Sequence, residues 1–197
     1  MIRKIYHKLK LADRSFFVSL VRVFYFNLIK INRFIIFEWN LTQEIEKAPD
    51  ISTDFEIKIL NYKEIGMFIK NWDFLPREFY MHEIDGVINC VAAIKNGQIV
   101  YICWIYLEGD RNRFFNLKAG EAHFDYAFTF REYRRFGLNA QSHLKAAEWL
   151  KGLNIKRALI GVHEDTIYML RSLEKIRNIK RIGTLTHWFI YRPKFKC

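Results

Sequence analysis

Residues 123–150 constrain the fold more than any other stretch. The apolar run from His123 to Phe128 reads as a strand, and the periodic run from Gln141 to Leu150 reads as a helix. Between them lies a short basic turn with one glycine, Thr129-Phe130-Arg131-Glu132-Tyr133-Arg134-Arg135-Phe136-Gly137-Leu138-Asn139-Ala140. A strand that passes through a tight turn into a helix leaves amide N–H groups without partners at the helix start. The helix dipole adds partial positive charge at the same place, so the turn is suited to an anion. Arg134 and Arg135 add formal charge beside it. A pyrophosphate fits that description.

The surrounding pattern is α/β. Phe55, Ile57 and Ile59 alternate with charged residues, as in a half-buried strand. Residues 62–70 read as a short helix and 71–82 as an aromatic loop containing Pro76. Two apolar runs, 87–94 and 98–106, flank Asn96-Gly97, the dipeptide whose positive φ values a type I′ hairpin turn requires. A polar loop (108–120) precedes the strand of residues 123–128. After the basic turn and its helix come a strand over 157–162, a helix over 167–176 and a strand over 183–191. The order is β-α-β-β-β-α-β-α-β. Residues 1–41 read as a basic, aromatic, amphipathic helical extension. In it Ser15, Ser19, Arg22, Lys30 and Arg33 draw a narrow polar stripe, and Phe34 to Phe37 form a short β-like run. Residues 42–54 are polar, contain Pro49 and read as a linker, which leaves 55–197 as the folded domain.

Arg134-x-x-Gly137-x-Asn139 resembles the R/Q-x-x-G-x-G/A turn of the GCN5-related N-acetyltransferases, and Thr129-x-Arg131-Glu132-Tyr133-Arg134 is similar to that family's lead-in. Asn139 stands in place of the last glycine and Arg131 in place of a proline. The resemblance covers residues 55–191. It implies a mixed, mostly antiparallel sheet flanked by helices, with acetyl-CoA as co-substrate and no metal. Backbone groups at Phe128, Thr129 and Phe130 would then hold the pantetheine arm. Arg134, Arg135, Phe136, Gly137, Leu138, Asn139 and Ala140 would hold the pyrophosphate.

Three residues compete for the general base. Glu121, His123 and Asp125 alternate along one strand and share a face. By resemblance, Glu121 would draw a proton from the amine through water. His123 has the side chain whose ordinary pKa best suits neutral pH, and Asp125 is nearest the expected thioester gap. The choice among them stays open. The family's general-acid tyrosine falls on Leu173, which cannot donate a proton. Its preceding asparagine falls on Thr166, and its Gly-Phe turn on Arg177-Asn178. Tyr168 lies on a different helical face from Leu173. Trp72, Phe74, Phe79 and Tyr80 fall where family members build the acceptor pocket.

Composition bounds the rest. A 197-residue chain with 51% hydrophobic and 17% aromatic residues forms a packed domain rather than a disordered segment. Its net charge of +11 is uneven. Residues 1–40 carry eight Lys/Arg against two Asp/Glu, residues 41–130 nine against fourteen, and residues 131–197 fifteen against five. The basic C-terminal third suits a polyanionic cofactor, and no nucleic-acid recognition motif accompanies it. Three cysteines without C-x-x-C spacing predict neither metal nor disulfide, and a reducing, cytoplasmic setting. Residues 1–37 have the composition of a peripheral contact with the inner face of a membrane, and equally of a packing face for this domain or a homodimer.

The expected function is acetyl-CoA-dependent acetylation of a small amine. An amino sugar is suggested by Phe37-Glu38-Trp39-Asn40-Leu41, which is similar to a lead segment of short acyltransferases from polysaccharide gene clusters. Two alternatives stand beside it. One is transfer of a long acyl chain from an acyl-CoA or from an acyl carrier protein docked on the basic half. The other is a CoA-binding regulatory protein without turnover.

Overall fold

A computed structural model describes residues 31–45, 54–69, 75–174, 176–188 and 191–196. The amphipathic segment before residue 31, most of the 42–54 linker, and Trp72 and Phe74 lie outside the described residues. The described residues form one seven-stranded sheet in the order β2-β3-β4-β5-β6-β1-β7. The strands are β1 (Asn32–Asn40), β2 (Glu56–Asn61), β3 (Asn89–Lys95), β4 (Gln98–Tyr106), β5 (Glu121–Thr129), β6 (Arg157–His163) and β7 (Ile179–His187). Every neighbouring pair is antiparallel except β5 and β6, which run parallel. The helices are α1 (Tyr62–Ile69), α2 (Met81–Asp85), α3 (Leu138–Gly152) and α4 (Ile167–Leu173), with 3₁₀ turns at Arg77–Tyr80 and Arg131–Tyr133. From residue 56 onward the predicted order is present with one helix added, α2 at the end of the predicted aromatic loop, and with the last strand four residues earlier than expected. Asn96 and Gly97 turn the β3–β4 hairpin with φ of 50° and 75°.

The extension predicted over residues 1–41 needs correction at its C-terminal end. Asn32–Asn40 is not an appendage but a strand inside the sheet, hydrogen-bonded to β6 on one edge and β7 on the other. Both edges of this strand are therefore paired, and both of its faces are packed as well. Phe34 and Ile36 face Phe114, Leu159 and Leu185, while Phe37, Trp39 and Leu41 face the α3 side. The β-like run was legible, but its length and partners were not, because strand pairing is non-local.

Two layers cover the sheet. On one face α3 and α4 bury Leu144, Ala147, Leu150 and Leu173 against Phe37, Trp39, Phe124 and Ile160. Full burial of a leucine such as Leu150 contributes about 1.5–3 kcal/mol. On the other face the cover is divided. Ile65, Phe79 and Met81, from α1, the first 3₁₀ turn and α2, pack on Ile102, Trp104 and Tyr106. Phe114 and Phe115, from the loop before β5, pack on Phe34, Ile36 and Leu159. Gly161 on β6 makes room for that loop, since a Cβ there would stand 2.9 Å from the Phe114 ring. Among the described residues no helix is long and apolar enough to cross a membrane.

Candidate functional site

The site begins where β5 leaves β6. The parallel pairing runs only from Glu121↔Arg157 to Phe124↔Ile160. On its other edge β5 shifts register against β4, from Trp104↔Asp125 to Ile102↔Phe128. Tyr126 and Ala127 therefore stand opposite one residue, which makes a β-bulge. Tyr126 adopts φ of 53°, a left-handed conformation that costs a tyrosine on the order of 1–3 kcal/mol. The bulge bends β5 outward and leaves its β6-facing edge without a strand partner from Asp125 onward.

Alternation decides which amides face that open edge. The Phe130 N–H donates to the Val100 carbonyl at 3.2 Å, so Phe130 and Phe128 point their amides toward β4. Of the three backbone positions expected to hold a pantetheine arm, only Thr129 turns its amide outward. Phe128 and Phe130 contribute rings instead, 5.1 Å apart and within 6.2 and 5.9 Å of Phe79.

The turn that follows is a run of free donors. Arg135 and Gly137 both lie in the left-handed region, with φ of 71° and 74°. The first amide to find an acceptor is Gln141, on the Gly137 carbonyl at 3.2 Å. From Arg135 to Ala140 no amide has a backbone acceptor among the described residues. Alternating right- and left-handed residues curl such amides into a concave nest for an anion, and the α3 dipole points at it. These residues fit a bound pyrophosphate through their backbone. The side chains differ in their fit. Arg134 folds back, its Nε donating to the Thr129 carbonyl at 3.3 Å. Phe136 packs its exposed ring 5.6 Å from Phe55. Asn139 points inward, accepting from the Tyr101 hydroxyl at 3.0 Å and donating to Met169 Sδ at 3.0 Å. Its amide belongs to the nest, whereas its side chain ties β4 to α4.

The three candidate bases share a face as expected, and each is engaged elsewhere. Glu121 opens the closed half of β5. Its Oε1 accepts Arg157 Nη2 and Nε at 2.7 and 3.1 Å, and its Oε2 accepts the Lys118 amide at 3.0 Å. Arg157 also binds Glu38 on β1 at 2.8 Å. His123 is fully buried, and burial pushes its pKa down to about 4. Asn112 Oδ1 accepts the amides of Phe114 and Phe115, so Asn112 Nδ2 faces His123 Nδ1 as a donor, at 2.7 Å. The hydrogen-bond network thus assigns the proton of His123 to Nε2, away from any role as an acceptor there. Burial acts to raise the Asp125 carboxyl, but the Arg113 guanidinium outweighs it and holds the group below its ordinary range. That pair is bidentate, Nε to Oδ2 at 2.7 Å and Nη2 to Oδ1 at 2.8 Å. Glu121 and His123 therefore hold structure in place. Asp125 holds Arg113.

A fourth carboxylate emerges that the sequence did not single out. Pro76 starts the 3₁₀ turn whose Glu78 carbonyl accepts the indole N–H of Trp104, the residue opposite Asp125. This sets Glu78, half-buried, beside the bulge and near Arg77, Arg113 and Asp125. Burial raises its carboxyl above the ordinary range despite the two arginines. No spacing signal marks Glu78, because its place depends on a turn from one segment docking on a strand from another. Leu173, at the expected acid position, is fully buried in the α3-side core, and Tyr168 is 86% exposed. His163 pairs with Asp165 at 3.6 Å and stacks edge-on to Phe34. Among the described residues no group of three His, Cys, Asp or Glu could hold a metal.

No family model matches the chain, and no curated protein matches its sequence. Solved structures do match its shape. An acetyltransferase of the GNAT family from Novosphingobium aromaticivorans superposes with a TM-score of 0.55 at 12% identity, over 81% of this chain and 64% of that one. A GCN5-related N-acetyltransferase-like protein from Streptococcus suis gives 0.54 at 11%, over 88% and 67%. The GCN5-related glucosamine N-acetyltransferase region of a fungal multi-domain β-N-acetylglucosaminidase gives 0.57 at 12%, over 89% and 23%. The chain thus spans about two thirds or less of the proteins it resembles. With the bulge, the splayed strand and the nest before α3 in place, the sheet and its helices are the acyl-CoA N-acyltransferase fold of the GCN5-related N-acetyltransferases.

Proposed function

We propose that this protein transfers an acetyl group from acetyl-CoA to the amine of a small molecule. The observation that carries the reading is the run of amides from Arg135 to Ala140 that have no backbone acceptor among the described residues, at the end of a strand whose edge opens at a bulge. The amides and the α3 dipole hold the pyrophosphate, and the Thr129 amide meets the arm on the open edge. When bound, acetyl-CoA supplies the thioester whose C–S bond breaks as the C–N bond to the amine forms. Glu78 takes the proton that the acceptor nitrogen gives up, since a carboxylate with a raised pKa is a better base than one held low. Leu173 has no part in the step. A thiol of pKa about 8.5 departs as the thiolate without an acid at that position.

The acceptor is less constrained than the donor. One similar structure is a glucosamine N-acetyltransferase region, so amino sugars belong in an acceptor panel with amino acids and polyamines. Longer acyl-CoAs test the chain length of the donor. A thermal shift with acetyl-CoA tests the cofactor site. At ~100 times its dissociation constant, a ligand bound only to the native state adds about 2.7 kcal/mol. The Gly137→Glu variant is expected to lose the shift, because it forces a side chain into a left-handed position and sets a carboxylate in the nest. A shift that survives in that variant places the site elsewhere. No shift of the unaltered protein with any acyl-CoA refutes the reading. A shift without thiol release across the panel identifies a CoA-binding protein without turnover.

A further inference from the structure

Two arginines meet at the bulge, and neither is needed to explain the acetyl donor. Arg113 comes from the loop before β5. Asp125 grips one edge of its guanidinium through Nε and Nη2. Its faces are covered by the Phe114 and Tyr126 rings, with centroids 4.2 and 4.5 Å from Cζ. Its Nη1 makes no hydrogen bond among the described residues, and the side chain keeps 39% of its surface exposed. A guanidinium braced from behind and stacked on both sides has lost its rotamer freedom before any ligand arrives.

Arg77 comes from the 3₁₀ turn Arg77–Tyr80 and approaches the same tyrosine. Its Cζ lies 5.1 Å from the Tyr126 ring, and its Nη2 is 3.4 Å from the Tyr126 hydroxyl. Its Nε is buried and has no hydrogen-bond partner among the described residues. An unpaired buried donor costs about 1–3 kcal/mol, so the Arg77 guanidinium is not satisfied by the protein around it. Glu78 follows Arg77 directly in the same turn. Arg77, Arg113 and Asp125 together leave one positive charge beside one carboxylate that can receive an ammonium.

We propose that the acceptor is an amine that also carries a carboxylate, an amino-acid-like zwitterion, with Arg77 and Arg113 binding the carboxylate around Tyr126 while Glu78 faces the amino group. This rests on the acyltransferase reading for the reaction, but not for the binding. The net single positive charge matches a carboxylate better than a dianionic phosphate ester.

The test compares L-amino acids with their carboxamides, with glucosamine and with glucosamine 6-phosphate. Binding is read by calorimetry on the full chain, with and without acetyl-CoA, and turnover by thiol release. Amino acids are expected to bind and react with kcat/KM at least tenfold above their carboxamides. Arg77→Gln is expected to raise KM for the carboxylate acceptors about 10–100-fold, as loss of a charge-assisted hydrogen bond does. It should leave the KM of the carboxamides unchanged, a split that a folding defect would not produce. Carboxamides or glucosamine equal to the amino acids overturn the proposal. Preference for glucosamine 6-phosphate overturns the carboxylate assignment. Amino acids that bind with Arg77-dependence but give no thiol release uphold the subsite and count against the acyltransferase reading instead. A protein that binds acetyl-CoA and no carboxylate amine refutes the subsite alone.

Discussion

From Glu121 to Phe124, β5 pairs with the parallel β6, with β4 closing its other edge at His123 and Phe124, and its polar side chains have partners fixed by the fold, His123 through Nδ1. Glu121 lies in an ion-paired network that joins β5, β6 and β1, and Lys180 extends it to β7 by pairing with Glu38 at 3.2 Å. His123 sits with no solvent access, bracketing the Asn112 loop. From Asp125 to Thr129 the same strand has one open edge, a bulge residue in a strained conformation and the Thr129 amide turned outward. Charges in the closed half have partners fixed by the fold. In the open half Asp125 is buried against Arg113, whose guanidinium is braced on that edge and partly exposed on the other. Sharing a strand face therefore does not make residues chemically alike. Whether the neighbouring strand is present decides it.

Three changes sharpen that contrast. The largest effect is expected in the open half. Glu78→Gln keeps the size of the side chain but removes its basic carboxylate, and should lower kcat by about 10²–10⁴-fold. The acid limb of the wild-type rate profile should lie above the ordinary carboxylate range, because activity is lost as pH falls through a raised pKa. An unchanged kcat in the variant moves the base elsewhere.

In the closed half, Arg157→Ala removes the cation shared by Glu121 and Glu38, whose side chains are 12% and 16% exposed. Urea denaturation should show a loss of about 3 kcal/mol, the cost of leaving the partly buried Glu121 without its cation while Glu38 keeps only Lys180. Acetyl-CoA affinity per folded molecule should not change. A variant that folds normally and loses only catalysis would return Glu121 to candidacy as the base.

Acidification is expected to have the smallest effect per group. Burial holds both His123 and His143 at a pKa of about 4, against about 6.5 in the unfolded chain. Between those values the unfolded chain binds more protons, so stability is full above pH 6.5 and falls as pH drops toward 4. Each histidine accounts for roughly 2 kcal/mol at pH 5. Stability that stays flat between pH 6.5 and 5 would mean that both rings reach solvent. His143→Gln should remove about half of the slope, if the closed half behind His123 remains sealed.

Much of the fold was legible. Alternation in Phe55, Ile57 and Ile59, the Asn96-Gly97 turn and the apolar runs after it carry local signals that survive without tertiary context. The nest was legible for the same reason, since a basic turn with Gly137 before a helix determines where amides go unpaired. The site beyond the nest was not. Glu121, His123 and Asp125 had the right spacing for one face, but Arg157, Asn112 and Arg113 lie 36, 11 and 12 residues away from them. No window of sequence shows that such partners will arrive. Glu78 and Arg77 read as part of an aromatic loop, and their value comes from a 3₁₀ turn docked beside Trp104.

The sequence by itself determined the strand–turn–helix that offers six amides to an anion, because helix termini and glycine conformation are local properties of the chain. Only the tertiary structure decided which acidic groups are engaged and which are held ready. It inserted Asn32–Asn40 between β6 and β7, opened β5 at Tyr126 and brought Arg77, Glu78 and Arg113 to that opening. Burial and ion pairing, which set the chemistry of a carboxylate, are properties of neighbours that the chain order does not reveal.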